Sequence, residues 1–519
     1  MSIYNLAQLF YQLSARHANK KAIAFVDDDF ITYGELNVLS NRIARLFMDK
    51  GVQRNDVICI FNHKTKFGYA AMLACLKLGA IYANIDYENP ETRLRKIFDT
   101  CRPRMVIADQ MQDDGQYRKF KEKDLNFLNL CDAQIREKII KYKPDNLFAS
   151  NAVTGANPAY IMFTSGSTGT PKGVLISHDN LLSFIKWGTK RFNIEATDVF
   201  ANLNPIYFDN SVFDFYTSLF AGACMAAIPK YLMNNPLKII EAVDQLGCTI
   251  WFSVPSLLIY LMTVKVINQN VLKNIRIFAF GGEGYPKPEL KKLYDLFKNS
   301  SRFINVYGPT ECTCICSASD IDDHTFSDYN ALPLLGPINP NFDYIILDEQ
   351  GLPAVSGQIG ELCLMGPNVG LGYYNNIERT QAAFTNNPLK AAFYEKMYKT
   401  GDLVREKYIE GSPSLEFIGR KDNQIKHLGY RIELEEIETA IHKHKKVIQS
   451  AVIYKKMNDK FGEIVAYIAT KNKLTENDIK LHLKGEIPDY MAPTKYILVD
   501  QLPKNRNGKV DRKKLSRLT

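Results

Sequence analysis

What this 519-residue chain lacks narrows its function before any motif is read. Its ten cysteines include no CxxC pair, and most lie in apolar runs such as AAMLACLKLGA, so neither a zinc site nor a disulfide framework is expected. Cys312, Cys314 and Cys316 alternate, which predicts one face of a strand rather than a metal site. A chain of this kind fits a reducing cytoplasm. The longest uncharged apolar stretch, around Phe215 to Ile228, is too short for a bilayer and contains Thr and Ser, so no membrane span is expected. The first twenty residues read as an amphipathic helix, without the unbroken apolar run of a signal peptide. There is no 20–50-residue repeat and no low-complexity linker. Nor is there a dense basic stripe interleaved with aromatics, which argues against nucleic acid as partner. The net charge is +9, and residues from Asp422 onward carry 20 Lys and Arg against 13 Asp and Glu. That C-terminal excess is either a solvated face or a docking surface for an anionic partner.

What is present is alternation. VICIF (57–61), the helical GYAAMLACLKLG, AIYANID, the helical PETRLRKIFDTC and RMVIAD follow one another, a strand–helix rhythm that predicts mostly parallel sheets covered by helices. From about Pro333 to Leu403 short strands with Gly and Pro turns predict a smaller β-rich subdomain. After GRKDNQIK comes a compact α+β stretch. The expected class is therefore α/β: an N-terminal core over 1–421 and a small mobile α+β domain over 422–519.

The strongest local signal follows the apolar strand AYIMF. In FTSGSTGTPKG (163–173) Gly and hydroxyl residues let main-chain N–H groups and side-chain hydroxyls close around phosphate oxygens, and Lys172 adds a charge. The spacing differs from the ATPase loop, because no Gly-Lys-Ser/Thr stands at the four-residue interval, so kinase-type phosphoryl transfer loses ground.

That segment resembles the phosphate loop of the adenylate-forming superfamily, which includes acyl-CoA synthetases, luciferases and amino-acid adenylation enzymes. ITYGELN (31–37), LKLGAIYANIDYENPETRL (76–94), NVYGPTE (305–311), GELCLMGPNVGLGYYNN (360–376), YKTGD (398–402), GRKDNQIKHLGYRIELEEIE (419–438) and NGKVDRKKL (507–515) follow in family order. The resemblance implies ATP and Mg2+ as cofactors. Thr164, Ser165, Gly166, Ser167, Thr168, Gly169 and Lys172 would take phosphates. Asn305 and Tyr307 would take adenine, with Gly308, Pro309 and Thr310 of the same motif and Glu283 of FGGEGYP at the edge of the pocket. Asp402 would accept from the ribose, with Arg420 beside it, and Glu311 would hold the metal. A lysine near a C-terminus is ordinarily a solvated charge, but Lys509 of NGK resembles the catalytic lysine that steadies carboxylate and α-phosphate. Asp422 stands where the family has its hinge, and Gly429 in the loop of the second half-reaction.

For the acid, Asp209 in YFDNSVFDFY is the informative residue. It would pair with a substrate ammonium, against the plainer reading of a helix N-cap. By motif the other pocket positions are Asn210, Phe213, Phe252, Phe278, Phe280, Val306, Cys314 and Ile315, where four phenylalanines favour a small side chain. Among the branches the D-alanine–carrier protein ligases are most similar, with Gly281 in place of their Cys, which would open space. D-alanine leads, and glycine, L-alanine and serine stay open. Nothing up to Leu518 resembles a carrier domain, so the acceptor is expected to be the phosphopantetheine thiol of a separate carrier protein. The alternative is an acyl- or aryl-CoA synthetase of the same fold.

Overall fold

The computed structural model describes residues 3–110, 126–329, 331–390, 392–456, 462–470, 473–505 and 510–517. Two compact units emerge: Met1–Asp86, Cys101–Phe163 and Gly173–Lys421 form one, and Tyr87–Thr100, Thr164–Lys172 and Asp422–Thr519 the other.

The first unit is built on two large, mostly parallel sheets. The eight-stranded sheet runs Ser317–Ile321, Arg302–Tyr307, Ile277–Gly281, Ile250–Ser253, Val199–Asn202, Cys224–Ala227, Lys21–Phe25, Phe30–Thr32. It is antiparallel only at its two edges. A seven-stranded sheet has the all-buried strands Val57–Phe61, Ile81–Asn84 and Met105–Ala108 at its centre. Strands buried on both faces are continuous apolar runs rather than alternating ones, which is how VICIF reads. Helix Lys66–Leu78 shows the local logic: Thr65 accepts from Gly68 N–H at its start, and Gly79, at φ 68°, closes its end in the left-handed region.

One core includes the inner residues Ile23, Phe200, Phe252 and Ala279 of the eight-stranded sheet together with Ile58, Tyr82 and Tyr160 of the seven-stranded one. A second core lies under helices Pro236–Gln245, Pro255–Thr263 and Lys287–Phe297 on the other face of the eight-stranded sheet. The β-rich part is a five-stranded sheet of Asp343–Leu347, Ile359–Met365, Lys396–Ile409, Phe384–Asn386 and Ser412–Arg420, reaching well past Leu403.

In the second unit, helices Leu434–His442 and Glu476–Lys484 cover the three-stranded sheet of Val447–Lys456, Gly462–Thr470 and Lys495–Val499. Among the described residues no helix is long and apolar enough to cross a membrane.

Two local expectations are corrected. The stretch VFDFYTSLF is not a plain α-helix: a short turn Asn210–Val212 passes into a π-turn over Phe213–Thr217. The alternating cysteines do not share a strand, because Cys312 ends a 3-10 turn, Thr313 and Cys314 are left-handed at φ 56° and 74°, and the strand begins at Ser317. Left-handed backbone at a β-branched threonine is costly and concentrates where function demands it.

Candidate active site

In the first unit, a row of the expected residues sits at the C-terminal end of strand Arg302–Tyr307 and on the turns after it. Asn305 donates through Nδ2 to the Leu334 carbonyl at 2.8 Å. The Tyr307 hydroxyl donates to Asp402 Oδ2, and Arg420 pairs with Asp402 Oδ1 from the register-matched position of the neighbouring strand. Burial, reinforced by the Asp402 charge, pushes the Tyr307 phenol well up, so it stays a donor. Gly308 is required by close approach: a β-carbon there would stand 2.1 Å from the Cys314 carbonyl oxygen. Pro309 leads into the turn Thr310–Cys312.

Thr310 Oγ1 donates to Asp209 Oδ2 at 2.6 Å. Asp209 occupies the N-cap position of the short helix, yet its side chain makes no capping bond. The structure therefore sets aside the plain capping role and turns this half-buried acid toward Thr310. Asn210 lies beside Gly282, 3.7 Å from where a β-carbon of that glycine would be. Phe213 and Phe252 meet edge to face with ring centroids 5.3 Å apart. Val306, Cys314 and Ile315 belong to the same core as this pair. Burial, with the Asp209 and Asp214 charges nearby, pushes the Cys314 thiol well up, so it stays neutral.

Phe278 and Phe280 are corrected. Side chains alternate along a strand, and a one-residue shift in reading moves each to the opposite face. On Ile277–Gly281 it is Ala279 that joins the core of Phe213 and Phe252. Phe278 stacks on Phe303 and Phe280 meets Tyr285 edge-on, both in the second core. Of the four phenylalanines, Phe213 and Phe252 alone share the core of Ala279. Gly281 does not open space either: a β-carbon there would lie 2.3 Å from the Val306 carbonyl oxygen, so its absence lets the neighbouring strand come close.

Glu283 accepts from Ser256 N–H at 2.7 Å, at the start of helix Pro255–Thr263, where an acid suits the helix dipole. Glu311 is fully buried and accepts from the Tyr373 hydroxyl at 2.8 Å. Among the described residues no group of three or more His, Cys, Asp or Glu side chains is placed to hold a metal. A single buried carboxylate still fits Mg2+, which takes one or two carboxylates and completes its shell with phosphate oxygens and water.

In the second unit, donors of the loop after strand Pro158–Thr164 hold carboxylates. Lys172 Nζ pairs with Glu433 Oε1 at 3.0 Å, and Gly166 N–H donates to Glu436 Oε2 at 3.0 Å. Arg93 pairs with Glu436 as well, and Lys96 donates to the Gly169 carbonyl. Ser165 Oγ donates to the Arg431 carbonyl at 2.7 Å. Thr164 Oγ1 is buried without a hydrogen-bond partner among the described residues, while Ser167 and Thr168 complete the loop. Its donors already hold carboxylate oxygens, the chemistry a phosphate would supply. Asp422 accepts from Gln424 N–H at 3.2 Å at the first residue of this unit's long segment. Gly429, at φ 80°, and Leu428, at φ 51°, form the tight turn between strands Gln424–His427 and Tyr430–Glu433. Lys509 lies outside the described residues.

Sequence reading missed Ala279, for want of the right register, and Tyr373, whose place in GYYNN gave no sign of its bond to Glu311. It also missed Asn204 and Asp214, taken up below.

Comparison with known proteins points to a family. Residues 10–374 match the AMP-binding enzyme family and residues 436–509 the AMP-binding enzyme C-terminal domain. A D-alanine–D-alanyl carrier protein ligase of Bacillus cereus is 31% identical over 94% of this chain and 94% of its own length. Bacitracin synthase 1 of Bacillus licheniformis is 32% identical over 98% of this chain, which spans only 9% of that protein. Among solved structures, an o-succinylbenzoate CoA synthetase from Bacillus subtilis superposes with a TM-score of 0.84 at 19% identity, covering 99% of this chain and 98% of that one, a likeness of fold.

Proposed function

This chain belongs to the AMP-binding enzyme family, and from that premise we propose that it activates a small amino acid with ATP and passes it to a carrier-protein thiol. As an AMP-forming ligase it joins two substrates at the expense of ATP. A carboxylate oxygen of the amino acid attacks the α-phosphorus, the bond to the bridging oxygen breaks, and pyrophosphate leaves. The phosphopantetheine thiol of a separate carrier protein then attacks the acyl carbon, giving a thioester and AMP. D-alanine is the proposed substrate, supported by the ligase relative's name and by a pocket flanked by Phe213 and Phe252.

The observation that carries the amino-acid reading is Asp209 turned from its helix toward Thr310. A partly buried carboxylate turned this way gains by pairing with the opposite charge, which a substrate ammonium supplies. The phosphate loop supplies main-chain N–H and Lys172 to phosphate oxygens, Asn305 and Tyr307 take adenine, and Asp402, bonded to Tyr307 and Arg420, takes the ribose. Glu311 would help hold Mg2+, which would supply charge neutralisation to the phosphates when bound. Lys509 steadies the attacking carboxylate, a role assigned by its place in NGK. In the basic C-terminal domain Lys443 pairs with Glu486, which leaves Lys445 and Lys446 as the stronger contributors to an acidic carrier's docking face.

ATP–pyrophosphate exchange across D- and L-amino acids tests this. Exchange strongest with D-alanine, and lost in Lys509→Ala, supports the assignment. Exchange only with simple carboxylic acids points to a CoA synthetase instead.

A further inference from the structure

Beside the pocket lies a buried polar network that the activation chemistry leaves unused. Asp214 follows Phe213 in the π-turn Phe213–Thr217, where the extra residue per turn brings both side chains inward, at 1% and 0% exposure. Asp214 Oδ2 accepts from Asn202 Nδ2 at 3.0 Å and from Asn204 Nδ2 at 3.1 Å. The same Asn204 nitrogen donates to the main-chain carbonyl of Phe252 at 2.9 Å. Asn202 points elsewhere with its other end, accepting from the Tyr69 hydroxyl at 2.8 Å. Lys64 donates to the carbonyls of Asn202 at 2.7 Å and Ile228 at 2.9 Å, and its charge opposes that of Asp214. Burial pushes the Asp214 carboxyl up and the Lys64 ammonium down, and their mutual attraction works against both shifts.

This is an expensive arrangement for a core. Asp214 Oδ1 has no hydrogen-bond partner among the described residues, and a buried half-satisfied carboxylate costs stability that an apolar residue would not. What it achieves is geometric. Phe213 touches Phe192, Phe200 and Phe252 with centroids 4.7, 5.4 and 5.3 Å away, an all-apolar surround with no directional bond to hold the ring. Asn204 supplies direction, because its one amide nitrogen bonds both to the turn carrying Phe213 and to the strand carrying Phe252.

We infer that Asn204 and Asp214 form a clamp that fixes the depth of the amino-acid pocket by holding Phe213 against Phe252, and so act as specificity-setting positioning residues. The clamp rests on the amino-acid activation proposed above. Breaking it lets the two rings part and admits larger side chains.

The test is ATP–pyrophosphate exchange with glycine, alanine, 2-aminobutyrate, valine and leucine, in wild type, Asn204→Ala and Asn202→Ala. In Asn204→Ala the ratio of kcat/KM for the larger acids over alanine rises about 10-fold or more, the usual worth of a methylene or two in a pocket. Its KM for ATP stays within about two-fold, because nucleotide binding is untouched. Asn202→Ala loses a bond to Asp214 but none to Phe252, so its melting temperature falls while the ratio stays. If both variants melt earlier with unchanged ratios, the network merely holds the fold and the clamp is wrong. Should Asn204→Ala fail to fold, Asn204→Ser, whose hydroxyl reaches only one of the two partners, moves the ratio the same way. If wild type exchanges with no amino acid, amino-acid activation fails. The clamp is then read with unsubstituted carboxylic acids of the same graded size.

Discussion

Around Asp209 an acid faces a neutral hydroxyl; around the phosphate loop, donors face acids. The first region holds the Asp209 carboxylate, which accepts from the Thr310 hydroxyl. The second holds an ammonium, a guanidinium and a main-chain N–H that two glutamates occupy. One region presents a negative charge, and the other has its positive charges matched by glutamates. A ligand carrying a cation therefore gains by entering the first, whereas an anion entering the second must displace a carboxylate to gain. The two regions are expected to respond to substitution in opposite directions.

The largest effect belongs to Asp209. Removing one partner of a desolvated ion pair costs roughly 3–5 kcal/mol, so Asp209→Asn should lower kcat/KM for the amino acid by about 10^3-fold with the KM for ATP little changed. Exchange assays over both substrates measure this. An equal loss for both would mean Asp209 holds the site together through Thr310 rather than gripping the amino acid.

How much of this was legible in the sequence depended on periodicity. Runs such as VICIF and helices such as the one ending at Gly79 carry their own start, stop and period, so the parallel α/β architecture was readable. The pocket wall was not. Ile277–Gly281 reads IFAFG, apolar at every position, because both faces of that strand are buried, one in each core. With no polar residue to mark a face, register is not legible there, and it is Ala279, not Phe278 or Phe280, that shares the core of Phe213 and Phe252. The π-turn was hidden for a related reason: VFDFYTSLF has helical composition, and only packing shows that Asp214 turns inward with Phe213. The motif residues meet in ways that chain order alone could not pair, since Asp402 and Arg420 face each other on register-matched strands and Tyr307 reaches Asp402 from another sheet.

The register correction gives the second prediction. Phe280→Ala empties a site in the outer core and should cost about 3 kcal/mol of stability, read by denaturant unfolding, with the order of amino-acid preference unchanged. Phe252→Ala removes a similar volume from the pocket side and should shift that order toward larger side chains as well as destabilise. If Phe280→Ala changes preference and Phe252→Ala does not, the assignment of faces is wrong.

The smallest effect sharpens the contrast at the phosphate loop. Glu436→Gln keeps the size and one accepting oxygen for Gly166 N–H, but removes the charge that also pairs with Arg93. Hydrogen bonds to charged groups are worth about 1.5–3 kcal/mol and neutral ones about half that. A phosphate displacing the amide thus gives up about 1–1.5 kcal/mol less, and affinity for pyrophosphate or ATP should rise by about 10-fold. Calorimetric titration of each ligand into wild type and variant measures it, with Glu433→Gln, at the Lys172 contact, as a second case. Weaker binding in both variants would mean that the glutamates order the loop for phosphate instead of standing in its place, and the opposition between the two regions would dissolve.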